Sequence, residues 1–488
     1  MKQSRLINIQ LLLHTVGSLL FFEAVFMFIA TVVAFFYHES DFLPLFYSSC
    51  ITLAAALCSF FFIRKDPNTQ FEKRDGYLFV TLVWIVFSLF GSLPFLLGGY
   101  SHSIVDAFFE SMSGFTTTGA TTFAGVEMLP HGILFWRSLM CWLGGMGIII
   151  LSLAIIPFFG IGGMQLYAAE IPGPQKTKLH PRVTQTAKLL WGIYSSLTLV
   201  QMLLLKIGGM NMFDAVCHSF SSISATGIST KNAGISYWNS PFMEYVLIAF
   251  MFITGINYGV IYSVLRGNFK SLYQNEELRF YLAFIVLFSL IVGVGLYTSQ
   301  HLGVEESART ASFQVVSLLT GSGFVTTNYL AWTPFLWTLL LFLMLVGGCA
   351  GSATSGIKVV RVSLLLKNSH NEFKRLLHPN AVMPVKFNKK VVSPQIITNI
   401  LAFVALYVLI IIGSVLFFTA MGFGFDESVG SAVSFLGNVG SGFGKFGPMD
   451  NYSQFPTLAK CYASFLMLAG RLEIFTVLFV LTPSFWKR

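Results

Sequence analysis

Four short stretches of this 488-residue chain set a glycine among small hydroxyl residues: FTTTGATT, ISATGIST, LTGSGFVTT and GNVGSGFG. Aligned on Gly119, Gly227, Gly323 and Gly442, roughly 108 residues apart, the preceding segments DAFFESMSGFTTTG, DAVCHSFSSISATG, TASFQVVSLLTGSG and VGSAVSFLGNVGSG fall into register without gaps. The chemistry such a repeat can do is cation coordination. Four backbones that converge can offer carbonyl oxygens in place of an ion's water shell, and glycine supplies the left-handed angles that aim successive carbonyls at one axis. The candidate cation-binding residues are Thr117, Thr118 and Gly119; Ala225, Thr226 and Gly227; Gly321, Ser322 and Gly323; and Gly440, Ser441 and Gly442. One such glycine alone would read as close helix packing. Four in register favour a filter.

A second constellation is GGCAGSATSG, Gly347 to Gly356, ten small residues that interrupt an apolar run just before Lys358 and Arg361. A straight helix is disfavoured there, and the functional reading is an irregular segment below the filter that blocks or clears the ion path, with Gly347, Gly348, Gly351, Ser352, Gly356 and Lys358 as gate candidates. The competing readings are a close-packed helix crossing and, for Lys358, a side chain that snorkels to the interface. Arg471 lies inside LMLAGRLEIF, where an unpaired cation is expensive. It pairs with Glu473 or helix-end carbonyls, or it forms an electrostatic barrier in the pore. Glu23 reads as a structural polar contact. Glu110, Glu127, Asp214, Glu244, Glu305 and Glu306 lie toward the outer face, as a mild negative field or as ordinary solvated surface. GFGKFG from Gly442 matches a dinucleotide fingerprint, but no strand precedes it and no βαβ unit surrounds it.

These residues need elements to hold them. With 55% hydrophobic and only 10% charged residues, against about a quarter charged in soluble domains, the chain is an integral membrane protein. Apolar runs near 9–36, 42–63, 77–98, 132–159, 189–205, 242–265, 280–300, 335–363, 395–421 and 457–482 are each long enough to span as a helix, and their continuous rather than alternating hydrophobicity excludes a barrel. The fold class predicted is an all-α membrane protein: two leading transmembrane helices, then four pseudo-fourfold repeats of helix, re-entrant pore helix and helix around a central ion pore. The expected divisions are 1–75 for the leading pair and 76–170, 171–270, 271–390 and 391–488 for the repeats, the third carrying the glycine-rich segment. Asp106 and Asp214 sit where pore-helix N-caps are expected, with Thr310 and Val429 at the matching positions of the other two units.

Of the 30 Lys and Arg, 23 lie at the termini or in segments 64–74, 176–188, 266–279 and 358–390. The positive-inside rule puts these segments and both termini in the cytoplasm of a multi-pass protein, for which a prokaryotic inner membrane is the natural location. The net charge of +9 is thereby a topological signature, and no nucleic-acid partner is implied. Six cysteines without C-x-x-C spacing suggest neither a disulfide framework nor a metal site. No catalytic triad, paired intramembrane carboxylates or P-loop is present, so neither an enzyme nor a covalent cofactor is expected.

The segments SGFTTTGAT, WLGGMGIIILSLAI, AEIPGPQKTKLHPR followed by TAKLLWGIYS, GGCAGSATSGIK and AGRLEIFTVLFVL together resemble the Trk/Ktr/HKT superfamily of potassium transporters, most closely its TrkH-type bacterial potassium uptake membrane subunits. The resemblance covers essentially the whole chain. It implies potassium as the transported ion at the four-glycine filter, a homodimer embedded in membrane lipid, and a cytoplasmic nucleotide-binding regulatory subunit of TrkA type. It further implies that the segment Gly347 to Gly356 obstructs the pore and that Arg471 lies near the path. Departure from T-V-G-Y-G in every unit implies weaker discrimination than in a dedicated potassium channel, and Lys445 beside the fourth filter places a cation near the mouth. The competing mechanism is a potassium symporter coupled to protons or sodium by alternating access; four hairpins in parallel orientation argue against it.

Overall fold

The computed structural model describes residues 7–62, 73–155 and 183–487. Arg64, Lys65, the basic stretch 176–182 and the AEIPGPQKTKLHPR motif fall outside the described residues. Among those described, the only sheet is a two-stranded antiparallel pair, Lys386–Phe387 with Lys390–Val391. Everything else of regular structure is helical, as the apolar runs require.

The leading pair, Ile9–Tyr37 and Phe42–Phe62, packs through small residues. A Cβ on Gly17 would stand 2.3 Å from the Ser59 Cβ, and the Ser59 hydroxyl donates to the Leu13 carbonyl at 2.6 Å. Phe22, Phe36 and Phe61 point outward, which suits hydrocarbon and would be costly in water. Glu23 is buried on the inner side of the first helix with no hydrogen-bond partner for either carboxylate oxygen. The structural polar contact expected of it is not formed.

Four units come next. Their outer helices are Lys73–Gly91, Val183–Ile207, Glu276–Ser299 and Pro394–Ala420; their short re-entrant helices are Ile104–Phe115, Met212–Ile223, Val304–Thr320 and Phe425–Gly437. The inner helices begin at His131, Pro241, Pro334 and Thr457. Three of the runs predicted as spans, 242–265, 335–363 and 457–482, are broken midway. Pro241–Thr254 turns by 103° into Tyr258–Leu265, and Thr457–Arg471 turns by 120° into Phe475–Leu481, while Pro334–Val346 gives way to a non-helical segment at Gly347. Each break has a local cause: Asn257 caps the second half-helix by accepting from Gly259 N at 2.7 Å, Glu473 and Ile474 both take positive φ, and Gly347 has φ 75°. Apolar composition satisfies lipid whether or not the helix is straight, so hydropathy alone does not register the breaks.

The expected caps are also displaced. Ser103 and Asn211 are the N-caps, accepting from Asp106 N and Asp214 N at 3.1 and 2.7 Å, so the two aspartates sit in the first turn, where they still complement the helix dipole. The third and fourth re-entrant helices start at Val304 and Phe425 after glycine caps, which leaves Thr310 and Val429 in helix interiors.

Ion pairs tie neighbouring units together at two of the four junctions. The fourth residue of the fourth inner helix, Lys460, contacts Asp106 of the first re-entrant helix at 2.6 Å. The fourth residue of the second inner helix, Glu244, contacts Arg309 of the third re-entrant helix at the same 2.6 Å. The polarity is reversed between the two junctions. Removing one member of such a pair strands a desolvated charge, at about 3–5 kcal/mol when buried. Lys460→Met should therefore lower the thermal unfolding midpoint in detergent clearly, and adding Asp106→Asn should restore part of the loss; a double variant less stable than the single would contradict this account.

Candidate functional site

Each re-entrant helix ends in the same hydrogen-bonded turn. The residue after Thr116, Ser224, Thr320 and Gly437 enters the left-handed region, at Thr117 (φ 54°), Ala225 (56°), Gly321 (74°) and Asn438 (53°), and two residues later the glycine does so again, at Gly119 (84°), Gly227 (78°), Gly323 (70°) and Gly440 (87°). The intervening amide donates back to a serine carbonyl: Thr118 to Ser113 at 2.8 Å, Thr226 to Ser221 at 2.9 Å, Ser322 to Ser317 at 2.8 Å and Val439 to Ser434 at 3.0 Å. This is a Schellman closure, which satisfies a helix-end carbonyl and turns the chain sharply toward the axis. A threonine or alanine at positive φ costs on the order of 1–3 kcal/mol and persists only where its surroundings impose it.

The fourth unit is offset from the sequence alignment by two residues. Gly440, not Gly442, occupies the position of Gly119, Gly227 and Gly323. Gly442 lacks positive φ and lies behind the strand, where a Cβ would meet the Phe446 carbonyl at 2.5 Å and the Tyr452 hydroxyl at 2.6 Å. The corresponding triplet is Asn438, Val439 and Gly440, with Ser441 just beyond it.

The four glycines close a ring. A Cβ on Gly119 would fall 2.0 Å from the Thr226 carbonyl oxygen, one on Gly227 1.8 Å from that of Ser322, one on Gly323 2.0 Å from that of Val439, and one on Gly440 2.4 Å from that of Thr118. Each unit thus presses a carbonyl oxygen against the next unit's glycine, and the fourth returns to the first. A cavity of about 140 Å³ opens onto this ring, lined by Gly119, Thr226, Gly227, Gly323, Val439 and Gly440 among others, and not by Gly442.

Behind three of the strands, the residue nine before the ring glycine anchors the segment on the strand's far side. Glu110 accepts from Thr122 N at 2.9 Å and pairs with buried Arg137 at 2.7 Å; a His218 ring nitrogen meets the Ser229 hydroxyl at 2.9 Å; Gln314 donates to Thr326 Oγ1 at 3.3 Å. In the fourth unit the position is Ser431, whose hydroxyl has no partner. Glu110, Asp214 and Glu244 are therefore not solvated surface: they are buried and engaged.

Below the ring, residues 347–358 run as a non-helical excursion between the helices Pro334–Val346 and Val359–Leu377. Its neck is closed by Ile357 N to Leu345 O (3.1 Å), Lys358 N to Val346 O (2.8 Å) and Val359 N to Gly348 O (3.0 Å). Its flanks are tied to the second unit and to the outer helix of its own unit. Cys349 N donates to Gly255 O at 2.9 Å, Asn257 Nδ2 to Ala350 O at 2.6 Å, and Glu277 accepts from Ala350 N at 2.5 Å. Gly347, Gly351 and Gly356 take positive φ, Gly348 abuts Thr354, and Ser352 bonds Thr354 Oγ1 at 2.7 Å.

Arg471 completes the arrangement. It donates to Ala353 O at 3.0 Å, Ser355 Oγ at 3.2 Å and Gly144 O at 3.1 Å, so one fully buried guanidinium joins the fourth unit, the excursion and the first unit. Its carbonyl partners are a loop carbonyl, Ala353 O, and Gly144 O from within the first inner helix, His131–Ile155; Glu473 pairs instead with Arg361. Lys358 is buried and donates to the Thr354 carbonyl, so it does not snorkel. Lys445 lies outside, mostly exposed, 3.8 Å from Glu427.

Residues 45–487 match the TrkH family of cation transport proteins. The Trk system potassium uptake protein TrkH of Escherichia coli is 43% identical over 430 residues, covering 87% of this chain and 88% of its own length. Its namesake in Vibrio parahaemolyticus is 38% identical over 491 residues, 98% of this chain and 99% of its own length. The chain belongs to the TrkH family. The crystal structure of the potassium transporter TrkH from V. parahaemolyticus aligns with a TM-score of 0.90 at 35% identity, covering 98% of this chain and 100% of that one. TrkH-family membership makes this a transport protein and not an enzyme.

Several residues of the site escaped the sequence reading: Asn438, Arg137, Asn257 and Glu277. A signal for the fourth unit's register was present. Ser113, Ser221, Ser317 and Ser434 all stand six residues before the ring glycine when Gly440 is used. Arg137→Met would leave the Glu110 carboxylate buried and unpaired, and should lower stability by about 3–5 kcal/mol, read as a fall in the thermal midpoint; Arg137→Met with Glu110→Gln should recover much of it.

Proposed function

We propose that the chain takes up potassium through a channel-like pore whose selectivity filter is the ring of Gly119, Gly227, Gly323 and Gly440 with the carbonyls of Thr118, Thr226, Ser322 and Val439. The observation that carries this reading is the closed cycle of glycine-to-carbonyl contacts, because four carbonyl dipoles around one axis can replace the hydration shell of a monovalent cation and no charged side chain is needed. Relatives at 38% to 43% identity that bear the name of potassium uptake proteins support potassium as the ion. Residues 347–358 act as the gate: a buried segment of small residues, held by hydrogen bonds instead of helix packing, has two accessible arrangements separated by a few bonds. Arg471 holds it closed. A cytoplasmic regulator of TrkA type engages the basic segment 361–390, two copies of the chain associate in the lipid of the inner membrane, and both termini face the cytoplasm.

Reconstituted protein taking up rubidium against competing sodium tests the filter. Gly227→Ser places a side chain where 1.8 Å separates a Cβ from the Ser322 oxygen, and should abolish ion preference or uptake; a variant as selective as the wild type would remove the filter assignment.

The gate has its own measurement. Removing residues 350–354, or replacing Arg471 by Ala, should raise uptake in the absence of the regulator without changing which ion is preferred. Resting flux that stays at the wild-type value in a folded deletion variant would place the gate elsewhere. Neutralising Lys374, Arg375, Lys389 and Lys390 should weaken co-purification of the regulator; unchanged co-purification would assign those charges to anionic lipid headgroups instead.

A further inference from the structure

Three of the four filter strands are stapled to their own re-entrant helix by a pair of hydroxyls. In the first unit Thr116 Oγ1 donates to Met112 O at 2.6 Å, so the 2.8 Å contact between Thr118 and Thr116 has Thr118 as its donor. In the second, Ser224 Oγ donates to Ser221 O at 3.0 Å and receives from Thr226 at 2.7 Å. In the third, Thr320 Oγ1 donates to Val316 O at 2.8 Å and receives from Ser322 at 3.0 Å. The fourth unit has Gly437 and Val439 at these positions, so neither hydroxyl exists.

Asn438 stands in that gap. Its Nδ2 donates to Thr118 Oγ1 at 2.8 Å and to Met467 O at 2.9 Å, while the residue is buried at φ 53°, a conformation asparagine tolerates better than most side chains. The bonds form one directed series: Asn438 to Thr118, Thr118 to Thr116, Thr116 to the Met112 carbonyl. Gly470 makes room for it, since a Cβ there would lie 2.7 Å from Asn438 Oδ1 and 2.1 Å from the Leu436 carbonyl.

We propose that Asn438 is the positioning residue that closes the filter: its amide fixes the fourth strand to the first strand and to the fourth inner helix, in place of the hydroxyl pair the other units use. The inference rests on the proposed filter. It predicts that ion preference depends on a side chain that need not touch the ion, because losing the amide frees the strand whose Val439 and Gly440 complete the ring.

The full chain in liposomes, taking up rubidium against sodium, tests this with Asn438→Gly, which keeps the left-handed backbone, with Thr118→Val, which keeps the shape and removes the acceptor, and with both together. Each single change should reduce the rubidium-to-sodium preference about fivefold, the scale of one hydrogen bond, and the double should lose less than the product of the two because one bond is common to both. Wild-type preference in Asn438→Gly, or a double whose loss is the product of the two, would overturn the proposal. Gly440→Ser run alongside separates the two readings: unchanged preference there sinks the filter itself, whereas preference lost there and kept in Asn438→Gly sinks only the role of Asn438. Where Asn438→Gly does not assemble by size exclusion, Thr118→Val is compared with Thr226→Val, which breaks the equivalent hydroxyl pair where no asparagine arrives. Thr118→Val should lose more, and equal losses overturn the proposal.

Discussion

The constraint on which the rest of the structure depends is the approach of four glycine α-carbons to four carbonyl oxygens, so close that a methyl group at any one would sit 1.8–2.4 Å from the neighbouring oxygen. Backbones that approach this closely leave no room for water between them, so the helix ends and strand ends around them need partners within the protein. The Schellman closures meet the helix-end carbonyls, and Glu110, His218 and Gln314 hold the outer ends of their strands. Above the ring the outer segments are laced in the same circular order: Val126 N to Asn232, Ile235 N to Val325 O, Tyr329 to Gly442 O, and Tyr452 N to Thr121 O. Loosening any junction relaxes the ring, so the stability of the fold and the shape of the proposed filter draw on the same contacts.

A second consequence concerns the level below the ring. The inner helices cannot all continue straight and also supply groups to the axis, and three of them break at mid-depth. Breaking a helix exposes carbonyls, and a cation is the partner that satisfies several at once. Arg471 meets the carbonyl of Ala353 in the segment that interrupts the third inner helix, and it also reaches Gly144 O inside the unbroken first one. The guanidinium is tolerated there because those dipoles stand in for a counterion. Charge and excursion thus depend on each other: without the arginine the Ala353 carbonyl loses its partner, and without the excursion the arginine loses Ala353 O and Ser355 Oγ and keeps only Gly144 O.

Much of this was legible in the residues. Within the described residues the ten apolar runs are largely helical, three of them with a break, and the small-residue stretch from Gly347 became the irregular segment, because Gly and Ser neither sustain a helix nor resist the turns found there. The misread register of the fourth unit has a physical origin. GNVGSGFG offers glycines at 440, 442 and 444, and a match by residue type favours the wrong one, whereas the Schellman bond counts from the serine six residues earlier. The helix breaks were hidden for a different reason: hydropathy reports the solvent, and the solvent is the same on both sides of a bend. The ion pairs Glu110–Arg137 and Lys460–Asp106 join residues in separate elements or units, so no local pattern announces them.

The four units are equivalent in plan and unequal in detail. Ion pairs join the fourth unit to the first and the second to the third with opposite polarity; the excursion belongs to the third alone; the hydroxyl pair is missing from the fourth. A strictly fourfold ring could only open or close as a whole, and it would offer no side from which a gate could be worked. The asymmetry gathers on one inner helix. Met467 O accepts from Asn438 of the filter strand, and one turn further along the same helix Arg471 grips the excursion. Between them Gly470 leaves no slack, packed against the Leu436 carbonyl at the base of the fourth filter. The proposed filter and the proposed gate are therefore held at two ends of a single turn of helix, and a movement that withdraws Arg471 from Ala353 pulls on the carbonyl that Asn438 holds.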